Sequence, residues 1–199
     1  GEMWRGREAL IGMCGRVILS DLSEGMLQKA QENLQGMEKI RFSTIDIQDI
    51  PFEDNTFDVV IANMMLYHVP DMAKGLGEVR RVLKPGGRFY SATYGEHGIM
   101  DYLCRLFRDY GVEDNTSHLF TLQNGKARLS PFFQRVERYD YEDSLRVTHP
   151  EDMADYMETL TGMSTFHDLP RDTVLAVLKE NMTDGVLTVP KEYGLFVCE

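Results

Sequence analysis

The chain has 199 residues, 43% of them hydrophobic and 27% charged, which suits one globular domain burying roughly 70% of the surface its unfolded form exposes and excludes a fibrous or disordered chain. Its 32 acidic against 21 basic residues leave a net charge of −11, which repels phosphate backbones and anionic surfaces, so neither nucleic acid nor a membrane is expected as a partner. Cys14, Cys104 and Cys198 are odd in number and widely spaced, with no CxxC or histidine partner pattern; this argues against a disulfide framework or metal site and for reduced thiols in the cytoplasm.

Strand-like and helix-like segments alternate through the first half, the pattern that builds a doubly wound α/β sheet, mostly parallel and covered on both faces. RVILSD (16–21) reads as a buried strand, and Ser23 caps a helix whose face is Met26, Leu27, Ala30 and Leu34. RFSTID (41–46) is a second strand. The turn Ile50-Pro51-Phe52-Glu53-Asp54-Asn55 leads into FDVVIA (57–62), apolar enough for a central strand. The apolar stretch Val59 to Val69 is broken by Asn63 and His68 and is too short to span a bilayer. Pro70-Asp71 opens a helix with Met72, Leu76, Val79 and Leu83 on one face, and Lys84-Pro85-Gly86-Gly87 stops it before the strand RFYSAT (88–93).

Beyond Tyr94 the pattern loosens. A helix is expected over 99–110, then loop and short helix to 135, a strand at 134–142, a helix opened by Thr148-His149-Pro150-Glu151 with capping-box spacing, and a helix at 171–181. The tail VLTVPKEYGLFVCE reads as two extended segments around Pro190 that close the sheet with an antiparallel edge. The whole is expected to be one domain, with 94–135 as a lid over the acceptor pocket, because aromatic residues there alternate with Gly95, Gly98, Gly111 and Gly125.

In an open α/β sheet, ligands bind beyond the carboxyl ends of the strands. Asp21 closes the first visible strand, where a carboxylate can accept from both hydroxyls of a ribose, and Leu22 can cover an adenine face. Asp46 closes the second, placed to take the adenine amine while the N–H of Ile47 meets a ring nitrogen. Asn63 follows the third, in the stretch Asn63-Met64-Met65-Leu66-Tyr67-His68. Each has a plainer role to weigh: a strand-end Asp is also a turn former, and Met64 and Met65 read as packing residues. His68 and Tyr94 are the expected pocket residues. If the acceptor needs a base, His68, His97, Tyr67 and Tyr94 are the candidates; no catalytic residue is otherwise singled out.

Residues 16–93, through VILSDLSEGMLQKA, IDIQDIPFEDNTFDVVIANMMLYHVPD and the helix running into LKPGGRF, resemble the small-molecule type of class I, seven-stranded Rossmann-like methyltransferases. The resemblance implies S-adenosylmethionine as cofactor, a small-molecule acceptor, and, in the family's own strand numbering, the order 3-2-1-4-5-7-6 with the last strand antiparallel. It implies ribose binding by Asp21, adenine binding by Asp46 and Ile47, and a cofactor wall at Asn63. Two other readings compete. One is a nicotinamide-linked oxidoreductase, which the LKPGG turn and the Asp46-Ile47 site fit poorly. The other is a methyltransferase-like protein without activity, since the family's first strand and GxGxG loop are not in the chain.

Gly1 lies 20 positions before Asp21, close to the spacing between a glycine fingerprint and its ribose acid, so it is either the last glycine of the cofactor loop or a residue left by cloning. The family's first strand runs between the segments 16–21 and 57–62, and without it each buried unpaired backbone group costs roughly 1–3 kcal/mol. About 40 further residues are therefore expected before Gly1 in the natural protein. For the chain by itself, rearrangement, self-association across the gap, or weak cofactor binding is expected.

Overall fold

The structure, a computed structural model, describes residues 14–199; the expectation for Gly1 lies outside them. The strands are β1 (Val17–Asp21), β2 (Ile40–Thr44), β3 (Phe57–Asn63), β4 (Leu83–Tyr94), β5 (Val136–Val147) and β6 (Leu187–Cys198). The helices are α1 (Glu24–Asn33), α2 (Met72–Val82), α3 (Ile99–Leu106), α4 (Gly125–Leu129), α5 (Pro150–Glu158) and α6 (Arg171–Glu180).

Among the described residues the strands form two sheets, β1-β2 and β3-β4-β6-β5. Both β1-β2 and β3-β4 are parallel, while β6 runs antiparallel between β4 and β5. This is the expected order, with the break between β1 and β3 falling where the family places its first strand. Those two strands share no ladder among the described residues. Loop 45–56 ties the pair β1-β2 to the larger sheet, because it packs on α2.

Local chemistry explains the elements. Ser23 caps α1 by accepting from the N–H of Met26 at 3.4 Å, and Leu27, Ala30 and Leu34 are buried; Met26, expected on that face, is 56% exposed. Asp71 caps α2 by accepting from the N–H of Lys74, and Leu76 and Val79 enter the core that Phe89, Phe120, Leu129 and Phe196 complete. A second core gathers Leu103, Phe107, Met157, Phe166 and Leu178 around α3, α5 and α6.

The structure corrects several expectations. The KPGG turn belongs to β4 as an irregular start, with Phe57 opposite Leu83 and Val59 opposite Arg88, and Gly86 absorbs it at φ +77°. β3 is buried on one face only among the described residues, since Val59 and Ile61 are 46% and 49% exposed. His149, not Thr148, is the N-cap of α5, and its side chain makes no capping bond, so the helix rests on Pro150 in its first turn. The tail is one strand, β6, that runs through Pro190. Glu192 turns its carbonyl to the N–H of Gly95, so by alternation Pro190 faces the same side, beyond the end of β4, where no donor is needed.

Candidate functional site

Asp21 ends β1 and accepts from the N–H of Ser23 through Oδ1 at 2.9 Å. One carboxylate oxygen thus shapes the turn and the other accepts no bond among the described residues, while Leu22 beside it is 68% exposed. Ile45 donates to the Asp21 carbonyl at 3.4 Å, which brings the ends of β1 and β2 together.

Asp46 lies two residues past the end of β2 rather than closing it. Its Oδ1 accepts from the backbone N–H of Gln48 at 2.8 Å, and both oxygens receive Gln48 Nε2 at 3.2 Å. The backbone bond is the first cause, and the side-chain bond the second, that hold the Asp46 carboxyl below its ordinary range. A carboxylate has about four lone-pair sites, so Asp46 keeps one that no described donor fills. The N–H of Ile47 meets no acceptor among the described residues. Gln48, which the sequence reading passed over, also accepts from the N–H of Asp71 at 2.9 Å and so joins Asp46 to the cap of α2.

The loop is clamped from below by α2. Arg81 donates to the carbonyls of Ile50 and Phe52, to Asp54 and twice to Glu78, and Glu78 accepts from the N–H of Ile50. Those bonds from Arg81 draw the Glu78 carboxyl down to about 2. Ile47 reaches α2 at Gly75, where a Cβ would stand 3.3 Å from its side chain.

After β3, Asn63 is exposed and Met64 takes φ +53°, a left-handed conformation rare for methionine, with its N–H bound to the Ala92 carbonyl at 3.0 Å. The reversal carries the chain into a single turn, Leu66–His68. Leu66 plugs the core at 1% exposure, and Tyr67 lies against Tyr94 with ring centroids 4.6 Å apart.

Met64 and Tyr67 floor a cavity of about 160 Å³ at the carboxyl end of β4, walled by Tyr94, Glu96, Asp114, His118, Tyr156 and Glu192 among others. Tyr94 lines this cavity. His68 is not on the wall: its ring is exposed and leans on Tyr67 at 4.4 Å. Burial first, then the neighbouring Tyr67 and Asp114, push the Tyr94 phenol up to about 12, so at neutral pH it donates rather than takes a proton. Burial likewise raises Tyr67. A second cavity of about 300 Å³ between α5 and α6 contains no strand-end residue, and its Arg171 is paired with Asp155 and Glu158.

The segment 94–135 does not form one lid. Leu103, Phe107, Phe120, Leu122 and Leu129 are buried as deeply as the sheet; the parts lying on the cavity are residues 94–101 and the strap 113–119. Ser117 fastens it, donating to the Tyr67 carbonyl at 3.0 Å and accepting from the Tyr94 hydroxyl. Gly95 and Gly98, read as part of a lid, are buried contacts: a Cβ on Gly95 would run into the Glu192 carboxylate, and one on Gly98 would stand 3.1 Å from the Glu192 nitrogen. That close approach is how β6, far along the chain, delivers Glu192 to the cavity.

Comparison with known proteins accords with this geometry. A protein-family profile described as "Methyltransferase domain" matches residues 5–91. The demethylmenaquinone methyltransferase of Clavibacter sepedonicus is 42% identical over 80 residues, 40% of this chain and 33% of that protein. The ubiquinone/menaquinone biosynthesis C-methyltransferase UbiE of Pasteurella multocida (strain Pm70) is 36% identical over 104 residues, 51% of this chain and 38% of that protein. The aligned stretch therefore spans little more than a third of the length of these curated relatives. Over the whole fold, a putative methyltransferase from Bacillus halodurans C-125 superposes with a TM-score of 0.65 at 22% identity, covering 96% of this chain and 85% of that one. The strand order agrees with the fold of that putative methyltransferase, and residues 5–91, somewhat less than half of the chain, are similar to the methyltransferase domain family.

Proposed function

We propose that this chain transfers the methyl group of S-adenosylmethionine to a small molecule held in the 160 Å³ cavity. The observation that carries the reading is the continuity of the site: Asn63 ends β3 on the cofactor side, and the next residue, Met64, already lines the cavity. When bound, the cofactor supplies an electrophilic methyl on a sulfonium. Asp21 holds the ribose hydroxyls through its free oxygen, Leu22 covers the adenine, Asp46 and the Ile47 N–H read its edge, and Asn63 lies along the methionine portion. Gly1 is assigned to the end of the glycine loop. The donor set fits: a half-free carboxylate beside an exposed leucine, then an acceptor beside an unmet N–H.

Methyl transfer is an in-line displacement, so the protein's main tasks are alignment and exclusion of water. Tyr67, Tyr94 and the strap 113–119 do this at the cavity. The similarity of residues 5–91 to a methyltransferase domain speaks against the nicotinamide alternative. The names of the curated relatives favour a second acceptor, a quinone ring methylated at carbon, and their identity of 36–42% over the aligned stretch supports it. No described helix is long and apolar enough to cross a membrane, and three free thiols suit a reducing compartment such as the cytoplasm.

Calorimetry with S-adenosylhomocysteine on the wild type and on Asp21→Ala tests the cofactor assignment, and transfer of a labelled methyl to acceptor pools tests the activity. Saturable binding that weakens in the variant, with label recovered in a small product, is expected. No binding by the wild type would favour the inactive, methyltransferase-like alternative.

A further inference from the structure

We infer that the acceptor is a small organic amine, bound as its ammonium and methylated at nitrogen; this rests on the cavity being the acceptor site of the methyltransferase proposed above. The cavity wall carries Glu96, Asp101, Asp114 and Glu192, and no lysine or arginine belongs to it. Asp101 has a cation of its own, Arg105 at 3.2 Å, with His97 at 4.0 Å. The other carboxylates are held by neutral donors. Glu96 accepts from the Thr121 hydroxyl at 2.7 Å, Asp114 from the Thr116 N–H at 2.8 Å, and Glu192 from the His97 N–H at 2.6 Å and Gln123 Nε2 at 2.7 Å. Such bonds orient a carboxylate without cancelling its charge, so these wall carboxylates keep theirs. Lys191, 5.7 Å from the ring of the wall residue Tyr193, is paired with Asp143.

Two further features narrow the ligand. Tyr67, Tyr94, Tyr156 and Tyr193 also line the wall, and their ring faces attract an organic cation. Among the described residues no group of His, Cys, Asp and Glu side chains is gathered closely enough to hold a metal ion, so the carboxylates are spread around an organic cation rather than focused on a point charge. The size agrees: about 160 Å³ compares with the roughly 150 Å³ that admits a benzene ring. A phenolate or carboxylate acceptor would meet repulsion from the wall.

The step balances with the cofactor as the sole co-reactant. An ammonium R–NH3+ gives one proton to a wall carboxylate, freeing the nitrogen lone pair. The N–C bond forms as the S–CH3 bond breaks, its electron pair stays on sulfur as S-adenosylhomocysteine, and the product leaves as R–NH2+–CH3. The carboxylic acid returns its proton to water.

The test measures binding of benzylammonium, benzyltrimethylammonium, benzyl alcohol and benzoate to the chain saturated with S-adenosylhomocysteine, up to about 10 mM. Both cations are expected to bind about tenfold or more tightly than the alcohol, and benzoate least. In Glu96→Gln and Glu192→Gln that ratio falls severalfold, while S-adenosylhomocysteine affinity and melting temperature stay near wild type; incubating amines with labelled cofactor yields N-methyl product. Binding of S-adenosylhomocysteine with no preference for cations, or a preference that survives both substitutions, overturns the amine assignment alone. Failure to bind S-adenosylhomocysteine overturns the methyltransferase reading and the amine assignment with it.

Discussion

Replacing Glu78 by Gln removes one charge from the clamp that holds the loop carrying Asp46 and Ile47. Arg81 donates to both Glu78 oxygens at 2.7 Å, and this first cause brings the carboxyl from 4.5 down to about 2. That difference is worth about 3 kcal/mol as an upper bound. Glu78 and Arg81 are 20% and 32% exposed, so solvent screens part of it and a loss of about 1.5–2 kcal/mol is expected at neutral pH. For a domain of this size that lowers the melting temperature by roughly 3–8 °C. The folded value lies below the unfolded one, so the stabilisation is fully present above 4.5 and lost as pH falls toward 2. Melting curves of wild type and Glu78→Gln recorded from pH 7 downward should therefore converge below 4.5. A gap that stays constant with pH would refute the assignment of this stability to the Glu78–Arg81 pair.

Other outcomes follow from the same contacts. Asp21→Ala should weaken S-adenosylhomocysteine by about 1–3 kcal/mol without altering the melting temperature, since only the Ser23 N–H loses a partner; unchanged calorimetric affinity would remove Asp21 from the site. Gln48→Ala should return the Asp46 carboxyl toward its ordinary range, read by NMR titration, because both bonds from the Gln48 amide are lost. Gly95→Ala should destabilise by about 1–3 kcal/mol through its clash with Glu192, and adding Glu192→Ala should recover part of that loss in thermal melts. Ser117→Ala removes the bond to the Tyr67 carbonyl and should cost about 0.5–1.5 kcal/mol, with faster hydrogen exchange confined to 113–119.

What the sequence determined by itself is the cofactor half. Strand period, helix caps and turn residues act between neighbours in the chain, so VILSD, the Ser23 and Asp71 caps, and the positions of Asp21, Asp46 and Asn63 at or just beyond strand ends were all legible from residues within a few places of one another. Even there, Gln48 escaped notice, because its use depends on α2 bringing Asp71 to it. Only the tertiary structure decided the acceptor half. Glu96, His118 and Glu192 meet at one cavity because β6 folds back antiparallel beside β4 and the strap 113–119 is fastened over Tyr67 and Tyr94. No local pattern records that meeting. Gly95 shows the physical reason: its missing side chain makes room for a carboxylate from β6, the last strand, so the glycine read locally as freedom of movement is in fact a close contact.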